Sequence, residues 1–310
     1  MLSAKNIVLF VMTKNNNSGF WAILASAMIL GAYGIMARYL HGAFGYFTQV
    51  MLRTSVAFIV VSILIIISQS GIRLSRRNIF MSVLLGLLFF GGLVTFTVGS
   101  VLDKISVVMF VFYAGSFLTS FCISVFYYHE KVSIQKGIAL GIVIVGLVIT
   151  TGFDFSNLGW GLLAGFGSGI LDASANTLRK QLAGLPKLHV LLFQFAVPSL
   201  AALLFILLTK EVPIKDISIG AILAGMVWGV LLIIGNQLIM IGYRHFDFML
   251  AQIVLSSEIF FATVLAFFFF HEIPNSFELI GGILIFIGVC VVDIDFSIIK
   301  QRLRGARGGS

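Results

Sequence analysis

Residues 56–67 read VAFIVVSILIII, and this stretch decides the fold class. It is apolar on every face of a helix, and it lies within a longer apolar run over 46–68. A bilayer core about 30 Å thick needs roughly 20 such residues per helix, so the run predicts a membrane-spanning helix. A membrane barrel would instead show short segments in which apolar and polar residues alternate.

The composition of the whole chain agrees with this interpretation. The 310 residues are 59% hydrophobic and 10% charged, whereas a soluble domain carries about 25% charged residues. The chain is therefore expected to be a membrane protein, which excludes most classes of soluble enzyme. The net charge of +8 is typical of basic cytoplasmic loops, and we expect no nucleic-acid partner.

Apolar runs between polar breaks predict an all-α integral membrane protein with ten transmembrane helices. The N-terminal apolar stretch is too short for a signal peptide, so residues 1–18 are expected to be a cytoplasmic segment, and residues 294–310 a basic cytoplasmic tail. The spans leave no room for a soluble domain and cover approximately 19–37, 46–68, 79–101, 105–128, 134–151, 157–178, 188–209, 219–242, 247–270 and 276–292.

The distribution of Lys and Arg predicts the orientation. With ten spans both termini share one side, and 15 basic residues fall there: Lys5, Lys14, Arg73, Arg76, Arg77, Lys131, Lys136, Arg179, Lys180, Lys187, Arg244, Lys300, Arg302, Arg304 and Arg307. The other side holds four, namely Arg38, Lys104, Lys210 and Lys215. Positive charge favours the cytoplasmic side, so both termini are predicted to be cytoplasmic, in an inner (cytoplasmic) membrane.

The chain also repeats itself. A shift of 142 positions places the His-Glu dipeptide at 129–130 on the one at 271–272, with apolar runs of similar character around both. We therefore expect two repeats of five helices each, over 19–152 and 153–293. Because five is odd, the repeats must be inverted relative to each other, which is a construction typical of secondary transporters.

The spacing within the second repeat resembles a known family. Glu258 is followed fourteen positions later by Glu272, and then by Gly281 and Gly288. This pattern is similar to the EamA repeat of the drug/metabolite transporter (DMT) superfamily. The first half is a weaker copy, in which Glu130 and Gly146 fit, while Ser116 and Ala139 replace the first Glu and the first Gly.

Arg53, early in the second helix, also resembles the family pattern. The resemblance implies a secondary transporter whose central cavity is lined by spans one, three, four, six, eight and nine, with spans five and ten at the periphery. It does not indicate a substrate, because one fold hosts many functions.

Three charged residues lie well inside the predicted spans: Arg53, Asp172 and Glu258. A charge at the centre of a helix costs on the order of 2.5–3.5 kcal/mol on insertion scales, so each must face protein or water. We expect Glu258 to bind substrate or a proton, Arg53 to orient substrate, and Asp172 to act in gating or proton coupling. The alternatives are helix–helix hydrogen bonds for the two acids, and a snorkelling side chain for Arg53.

Uncharged side chains at mid-span give further candidates for substrate binding. Aromatic faces beside a carboxylate suit a cationic or aromatic ligand, through cation–π contacts or stacking. The alternative for each is ordinary core packing. The candidates are Tyr33, Tyr113, Trp228, Asn236, Gln237 and Gln252.

Two motifs that suggest other chemistry fail on inspection. The His-Glu pairs lack the second His that a zinc-protease motif requires, and the glycine run at 165–169 has no preceding strand. Gly161, Gly165 and Gly169 instead predict a smooth face for close helix packing, and Gly137 and Gly141 predict another. We expect no enzyme activity, no metal and no cofactor.

The sequence therefore predicts a secondary transporter, ion-coupled or facilitative, that exports small metabolites such as amino acids by alternating access. Its partners would be the substrate, the lipid bilayer and, where transport is coupled, protons or another ion; the chain would be a monomer or a homodimer. One alternative is an uptake carrier for a cationic or nucleoside-like metabolite. A second alternative is a non-transporting membrane scaffold.

Overall fold

A computed structural model gives the structure of the chain. It describes residues 17–68, 74–127, 134–150, 159–182, 184–212, 218–245 and 254–291. The prediction of an all-helical protein is confirmed for these residues. Their helices are α1 (Asn17–Gly31), α2 (Tyr33–His41), α3 (Tyr46–Ser68), α4 (Arg76–Leu102), α5 (Ile105–Phe126), α6 (Ile134–Thr150), α7 (Trp160–Leu182), α8 (Lys187–Thr209), α9 (Ile219–His245), α10 (Glu258–Phe270) and α11 (Ser276–Val291).

A helix lies in each of the ten predicted segments, and α1 and α2 form the first segment with a break at Ala32. Within the described residues, six helices are long and apolar enough to cross a membrane: Gly19–His41, Tyr46–Ser68, Arg76–Leu102, Ile105–Ile123, Lys187–Thr209 and Ile219–Arg244. Shorter apolar helices cover Leu140–Ile149, Glu258–Phe270 and Ser276–Gly288. The number of spans and the side of the termini stay predictions.

The outside of the bundle is apolar, as immersion in lipid requires. Large aliphatic and aromatic side chains are exposed along the peripheral faces of several helices, among them Ile66, Leu207, Ile219 and Phe268, each about two-thirds exposed or more. Contiguous exposed apolar surface of this kind marks a membrane or protein contact. This exposed apolar surface and the six long apolar helices identify the chain as a membrane protein.

Helix packing follows the same pattern in the two halves of the chain. α4 packs on α7 as α9 packs on α1, α5 packs on α7 as α10 packs on α1, and α4 packs on α8 as α9 packs on α3. α3 also packs on α8, and α6 on α11. In this comparison α7 corresponds to α1 and α2 together, α8 to α3, α9 to α4, α10 to α5 and α11 to α6. When each helix is replaced by its counterpart, the same set of packed pairs results. Such a set is expected of two halves related by a two-fold axis.

The glycine face of α7 packs directly on the first half. A Cβ at Gly165 would lie 3.1 Å from Val108 Cγ1, and one at Gly169 would lie 2.8 Å from the backbone nitrogen of Ser116. A Cβ at Gly161 would overlap the carboxylate of Asp103. The absence of a side chain at these three positions therefore lets α7 approach α5 and the turn before it.

The prediction of a second glycine face on α6 is wrong. Gly137 and Gly141 are exposed, and a Cβ at either position would meet none of the described residues within 4 Å. α6 uses Gly146 instead, where a Cβ would lie 2.8 Å from the carbonyl oxygen of Gly281 on α11. Spacing alone does not indicate which of several glycines a neighbouring helix covers.

Candidate substrate cavity

A cavity of about 80 Å³ lies inside the bundle. Its lining comes from α1, α2, α4, α5, α7, α9 and the segment that leads into α10. These are spans one, three, four, six, eight and nine, the six that the family resemblance implies. The polar side chains of the lining are those of Tyr33, Ser168, Asp172, Arg179, Asn236 and Glu258.

Glu258 enters this cavity at a local tightening of the helix. Residues 256 and 257 form a turn, and bonds of the 3₁₀ type run from Ser257 N to Val254 O at 3.2 Å and from Ile259 N to Ser256 O at 3.1 Å. α10 begins immediately after, with Glu258 in its first turn. The free N–H groups of a helix start favour a carboxylate there, and 3₁₀ geometry inside a helix often marks a hinge.

The Glu258 carboxylate has one described side-chain partner. Tyr113, predicted as a substrate contact, places its hydroxyl 2.8 Å from Glu258 Oε2 and 2.9 Å from the carbonyl oxygen of Leu255. One hydroxyl proton can serve only one of these acceptors at a time. Both side chains are buried, and they join the first half of the chain to the second. Tyr113 thus positions Glu258 without lining the cavity itself.

Asp172 belongs to a polar group on one face of α7. It accepts a hydrogen bond from Asn176 Nδ2 at 2.7 Å, and it pairs with Arg179 Nη1 at 3.4 Å. Arg179 Nη1 also donates to Asn176 Oδ1, and the guanidinium lies over the Phe89 ring, 5.2 Å from its centroid. A carboxylate and a guanidinium therefore line one wall of the cavity together.

Arg179 corrects the charge assignment made from the sequence. It was predicted in a cytoplasmic loop, but α7 extends to Leu182, and the Arg179 side chain is only 2% exposed. Asn176, one turn earlier on the same helix, and Asp172, two turns earlier, compensate its burial. The bundle interior thus contains a fourth charged residue beside the three predicted.

The remaining predicted residues divide between the cavity and its surroundings. Asn236 lines the cavity, accepts from Gln194 Nε2 at 2.7 Å and donates to Leu232 O at 2.8 Å. Gln237 is partly buried and does not line it. Gln252 lies outside the described residues.

Arg53 and Trp228 lie beside the cavity and not in its lining. Arg53 is fully buried, donates from Nε to Gln49 O at 3.0 Å and from Nη2 to Thr97 Oγ1 at 3.3 Å, and lies 4.8 Å over the Tyr33 ring. The Trp228 ring lies 6.0 Å from that of Tyr33. Tyr33 therefore separates this group from the cavity that contains Glu258.

One end of the bundle is closed by charged side chains from both halves. Arg38, at the end of α2, pairs with Glu272 and donates to the carbonyl oxygens of Ser100 (2.7 Å) and Asp103. Glu272 also accepts from the backbone nitrogen of Ile105 at 2.8 Å, so it stabilises the start of α5. We call Arg38, Asp103, Lys104, Glu272 and Glu278 the Arg38 network.

The other members of this network are placed by helix ends. His271 ends α10 in the left-handed conformation (φ 55°), which turns the chain back. Asn275 and Glu278 form a reciprocal capping box at the start of α11, with bonds of 2.7 and 2.9 Å, and Glu278 pairs with Lys104 at 3.0 Å. Burial raises the pKa of Asp103 above its ordinary value, and Glu278 adds to this, while Leu162 N–H and Arg38 oppose it.

Sequence reasoning missed the polar residues that hold these groups in place. Asn176, Gln49, Thr97 and Gln194 are uncharged residues within helices, and only their contacts distinguish them from packing residues. Among the described residues no group of three or more His, Cys, Asp and Glu could hold a metal ion.

The chain is therefore a polytopic membrane protein, a bundle of apolar helices with polar groups that face an internal cavity. Residues 159–293 match the EamA-like transporter family. This match confirms the predicted resemblance to the EamA family of the DMT superfamily for the second half of the chain.

A solved structure shares the fold over nearly the whole chain. Among 28 solved chains that match, one described simply as the crystal structure of a protein has a TM-score of 0.66 at 20% sequence identity, covering 90% of this chain and 98% of that chain. At this identity the likeness concerns the fold alone. No curated protein matches the sequence.

Proposed function

We propose that this protein is a secondary transporter that exports small metabolites such as amino acids across the inner membrane by alternating access. The match of residues 159–293 to the EamA-like transporter family supports the transporter class. The observation that carries the proposal is the internal cavity, lined from both halves of the chain and containing Glu258, Asp172 and Arg179. Ionisable groups inside a membrane bundle are expensive to insert and are functional by default.

The charges of the cavity suit a zwitterion. The ammonium group of an amino acid would bind the Glu258 carboxylate, and its carboxylate would bind Arg179, whose Nε has no hydrogen-bond partner among the described residues. At about 80 Å³ the cavity is smaller than the roughly 300–1,000 Å³ of typical ligand sites. Binding therefore requires either a small substrate or a widening of the cavity.

Alternating access needs one closed end and a place that bends. The Arg38 network joins the two halves at one end of the bundle, and the 3₁₀ bonds at residues 254–257 provide a hinge beside Glu258. With both termini cytoplasmic, the Arg38 network would face away from the cytoplasm. Substrate would then load from the cytoplasmic side, and opening of the network would release it for export.

The first prediction tests Glu258 by transport in proteoliposomes. Glu258→Gln keeps the shape of the side chain and removes its charge. A hydrogen bond to a charged group contributes about 1.5–3 kcal/mol, so we expect transport of an amino-acid substrate to fall roughly tenfold to hundredfold. Glu211→Gln is the matched control, because Glu211 accepts bonds from the backbone of Phe47 and Thr48 and does not line the cavity. Unchanged transport by Glu258→Gln at all pH values would contradict the role of Glu258.

The aromatic lining favours one alternative, an uptake carrier for a cationic or nucleoside-like metabolite. Tyr33, Phe89, Phe96 and Phe112 line the same cavity as Glu258, and their rings could stack on such a ligand. A thermal-shift screen of cations, nucleosides and amino acids separates the two functions, since a ligand that binds only the folded protein raises its apparent stability.

The second alternative, a non-transporting scaffold, predicts that Glu258 and Asp172 stay in their hydrogen bonds. Cysteine substitution at positions 258 and 236, with labelling from each side of the membrane, decides between scaffold and transporter. Alternating access requires that both positions react from both sides. Labelling from one side alone, or from neither, would support the scaffold.

A further inference from the structure

Four buried polar atoms in the Arg53 region have no hydrogen-bond partner among the described residues. They are Arg53 Nη1, both terminal atoms of Gln49 and the indole nitrogen of Trp228. Arg53 and Gln49 are 0% exposed, and Trp228 is 1% exposed. Most buried polar atoms of native proteins are hydrogen-bonded, so four such atoms in one place require an explanation.

The three residues that carry these atoms lie close together. Gln49 and Arg53 are four residues apart on α3 and share a face. Arg53 on α3 lies over the ring of Tyr33 on α2, and the ring of Trp228 on α9 lies beside the same Tyr33 ring. A Cβ at Gly229 would lie 2.6 Å from the carbonyl oxygen of Arg53, so α9 contacts α3 at this level.

Within the described part of the chain, the charge of Arg53 also has no carboxylate partner. Each acidic residue in the described part of the chain is engaged elsewhere: Glu258 by Tyr113, Asp172 by Arg179, Glu272 by Arg38, Glu278 by Lys104, Glu211 at the start of α3 and Asp103 at the start of α7. A buried charge without a counter-charge is costly in a membrane interior. A bound anion would supply the missing partner.

We propose that Gln49, Arg53 and Trp228 form an anion site, the Arg53 pocket, that takes the carboxylate of a small organic acid. Three N–H donors, one on each side chain, would bind the carboxylate oxygens, which together accept about four hydrogen bonds. Gln49 Oε1 is left as an acceptor. It would bind an N–H or O–H next to the carboxylate, so the ligand class is an α-amino or α-hydroxy acid.

The Arg53 pocket is separate from the Glu258 cavity, because none of its three residues lines that cavity. It lies nearer to the Arg38 network, since Arg53 is seven residues from the start of α3 at Tyr46, or about 10 Å along the helix. We place it on the path between the cavity and that end, with Tyr33 bordering both. This last step rests on the proposed function, whereas binding to the pocket does not.

Trp228 itself provides the measurement, and this is the second prediction. Trp21 and Trp160 are 56% and 79% exposed, so changing both to Phe leaves Trp228 as the single tryptophan. The detergent-solubilised protein is titrated with glycine, lactate, acetate and chloride at constant ionic strength, while Trp228 fluorescence is recorded. We expect saturable changes with the three carboxylates, tightest for glycine or lactate, and weaker binding of chloride.

Variants of the pocket decide the assignment. Arg53→Gln should abolish the response, and Arg53→Lys should weaken binding about tenfold, because a lysine lacks the planar fork of donors. If Arg53→Gln does not fold, Gln49→Leu keeps the charge and should weaken glycine binding about tenfold, since it removes a donor and an acceptor. Glu258→Gln should retain the response.

Several results would overturn the proposal. They are the absence of any saturable change in the single-tryptophan protein, a response that survives Arg53→Gln, equal binding of chloride and carboxylates, or a response lost in Glu258→Gln. Transport is measured separately on the same protein. Transport without a Trp228 response overturns the Arg53 pocket alone, and a Trp228 response without transport overturns the transporter function alone.

Discussion

The Arg38 network and the Arg53 pocket use the same kind of residue in opposite ways. Arg38 has a carboxylate from the other half of the chain, two backbone carbonyl oxygens and an aromatic ring, that of Phe270, 5.0 Å from its guanidinium. Arg53, deeper in the bundle, has two hydrogen bonds, an aromatic ring, and one nitrogen without a partner in the described residues. Both are arginines on helices of the first half.

This difference separates a structural role from a binding role. A guanidinium with each of its three nitrogens bonded to the protein, as in Arg38, holds two elements together and offers little to a ligand. A buried guanidinium with a free donor is costly until something binds it. The Arg38 network is therefore expected to matter for stability and closure, and the Arg53 pocket for ligand binding.

The third prediction concerns a substitution that creates an unmatched buried charge in the Arg38 network, like the one in the Arg53 pocket. Arg38→Ala leaves Glu272 partly buried without its counter-charge. Breaking a buried pair costs about 3–5 kcal/mol; because these side chains are 22% and 11% exposed, we expect about 3 kcal/mol less stability. Thermal unfolding in detergent measures it.

The Lys104–Glu278 pair is the internal control for this experiment. The Lys104 side chain is 42% exposed, and exposed pairs contribute about 0–1 kcal/mol. Lys104→Ala should therefore lower the melting temperature much less than Arg38→Ala. Equal losses for the two variants would mean that burial does not distinguish the two pairs.

The fourth prediction concerns the contact between the halves at the level of the cavity. In Gly169→Ala the new methyl group meets the carbonyl oxygen of Phe112 and the nitrogen of Ser116, which are backbone atoms and cannot rotate away. Overpacking of this kind costs about 1–3 kcal/mol. We expect a lower melting temperature and, if α7 and α5 separate, slower transport.

Gly137→Ala is the matched substitution in open space. Alanine favours helix over glycine by about 1 kcal/mol, so this variant should be as stable as the parent or slightly more stable. The two variants differ only in what the methyl group contacts. A stability loss of the same size in both would contradict the close packing of α7 on α5.

Much of the fold follows from sequence, because burial in lipid leaves an unmistakable signal. The run over 46–68 is the helix Tyr46–Ser68, and most other helix bounds differ from the predicted spans by a few residues. The exception is the ninth span, predicted over 247–270, whose helix is Glu258–Phe270 and whose residues 247–253 lie outside the described part of the chain. The mid-span charges also led to real polar groups, since Glu258 and Asp172 both line the cavity. A charge in an apolar run has few explanations besides a protein contact or a site.

The partners of these charges could not be predicted, because pairing depends on packing between distant segments. Arg179 near a helix end resembles a loop residue, yet Asp172 and Asn176 hold it inside. Glu272 lies four residues before α11 in the sequence, yet it caps the start of α5, 167 residues away. Gln49 carries no signal at all in the sequence.

The fifth prediction, the smallest in effect, concerns Asp103, an acid of the Arg38 network whose negative charge is opposed by burial. Burial raises the pKa of Asp103 above its ordinary value of 3.8. The folded protein then holds a proton that the unfolded chain has already released. The free energy of unfolding therefore declines as the pH rises from about 3.8 through the higher folded pKa. Asp103→Asn removes this titration, and a melting-temperature profile from pH 4 to pH 7.5 should decline less steeply than that of the parent.

The same profile for Lys104→Ala separates Asp103 from its neighbours. Lys104 pairs with Glu278, and the negative charge of Glu278 helps to raise the pKa of Asp103. Lys104→Ala keeps the carboxyl group of Asp103 but removes the positive partner of Glu278. Its profile should decline at least as steeply as that of the parent, whereas Asp103→Asn flattens the curve. Parallel profiles for Asp103→Asn and the parent would show that Asp103 is as well compensated as Arg38. The Arg38 network would then contain no unmatched charge, and the contrast with the Arg53 pocket would be complete.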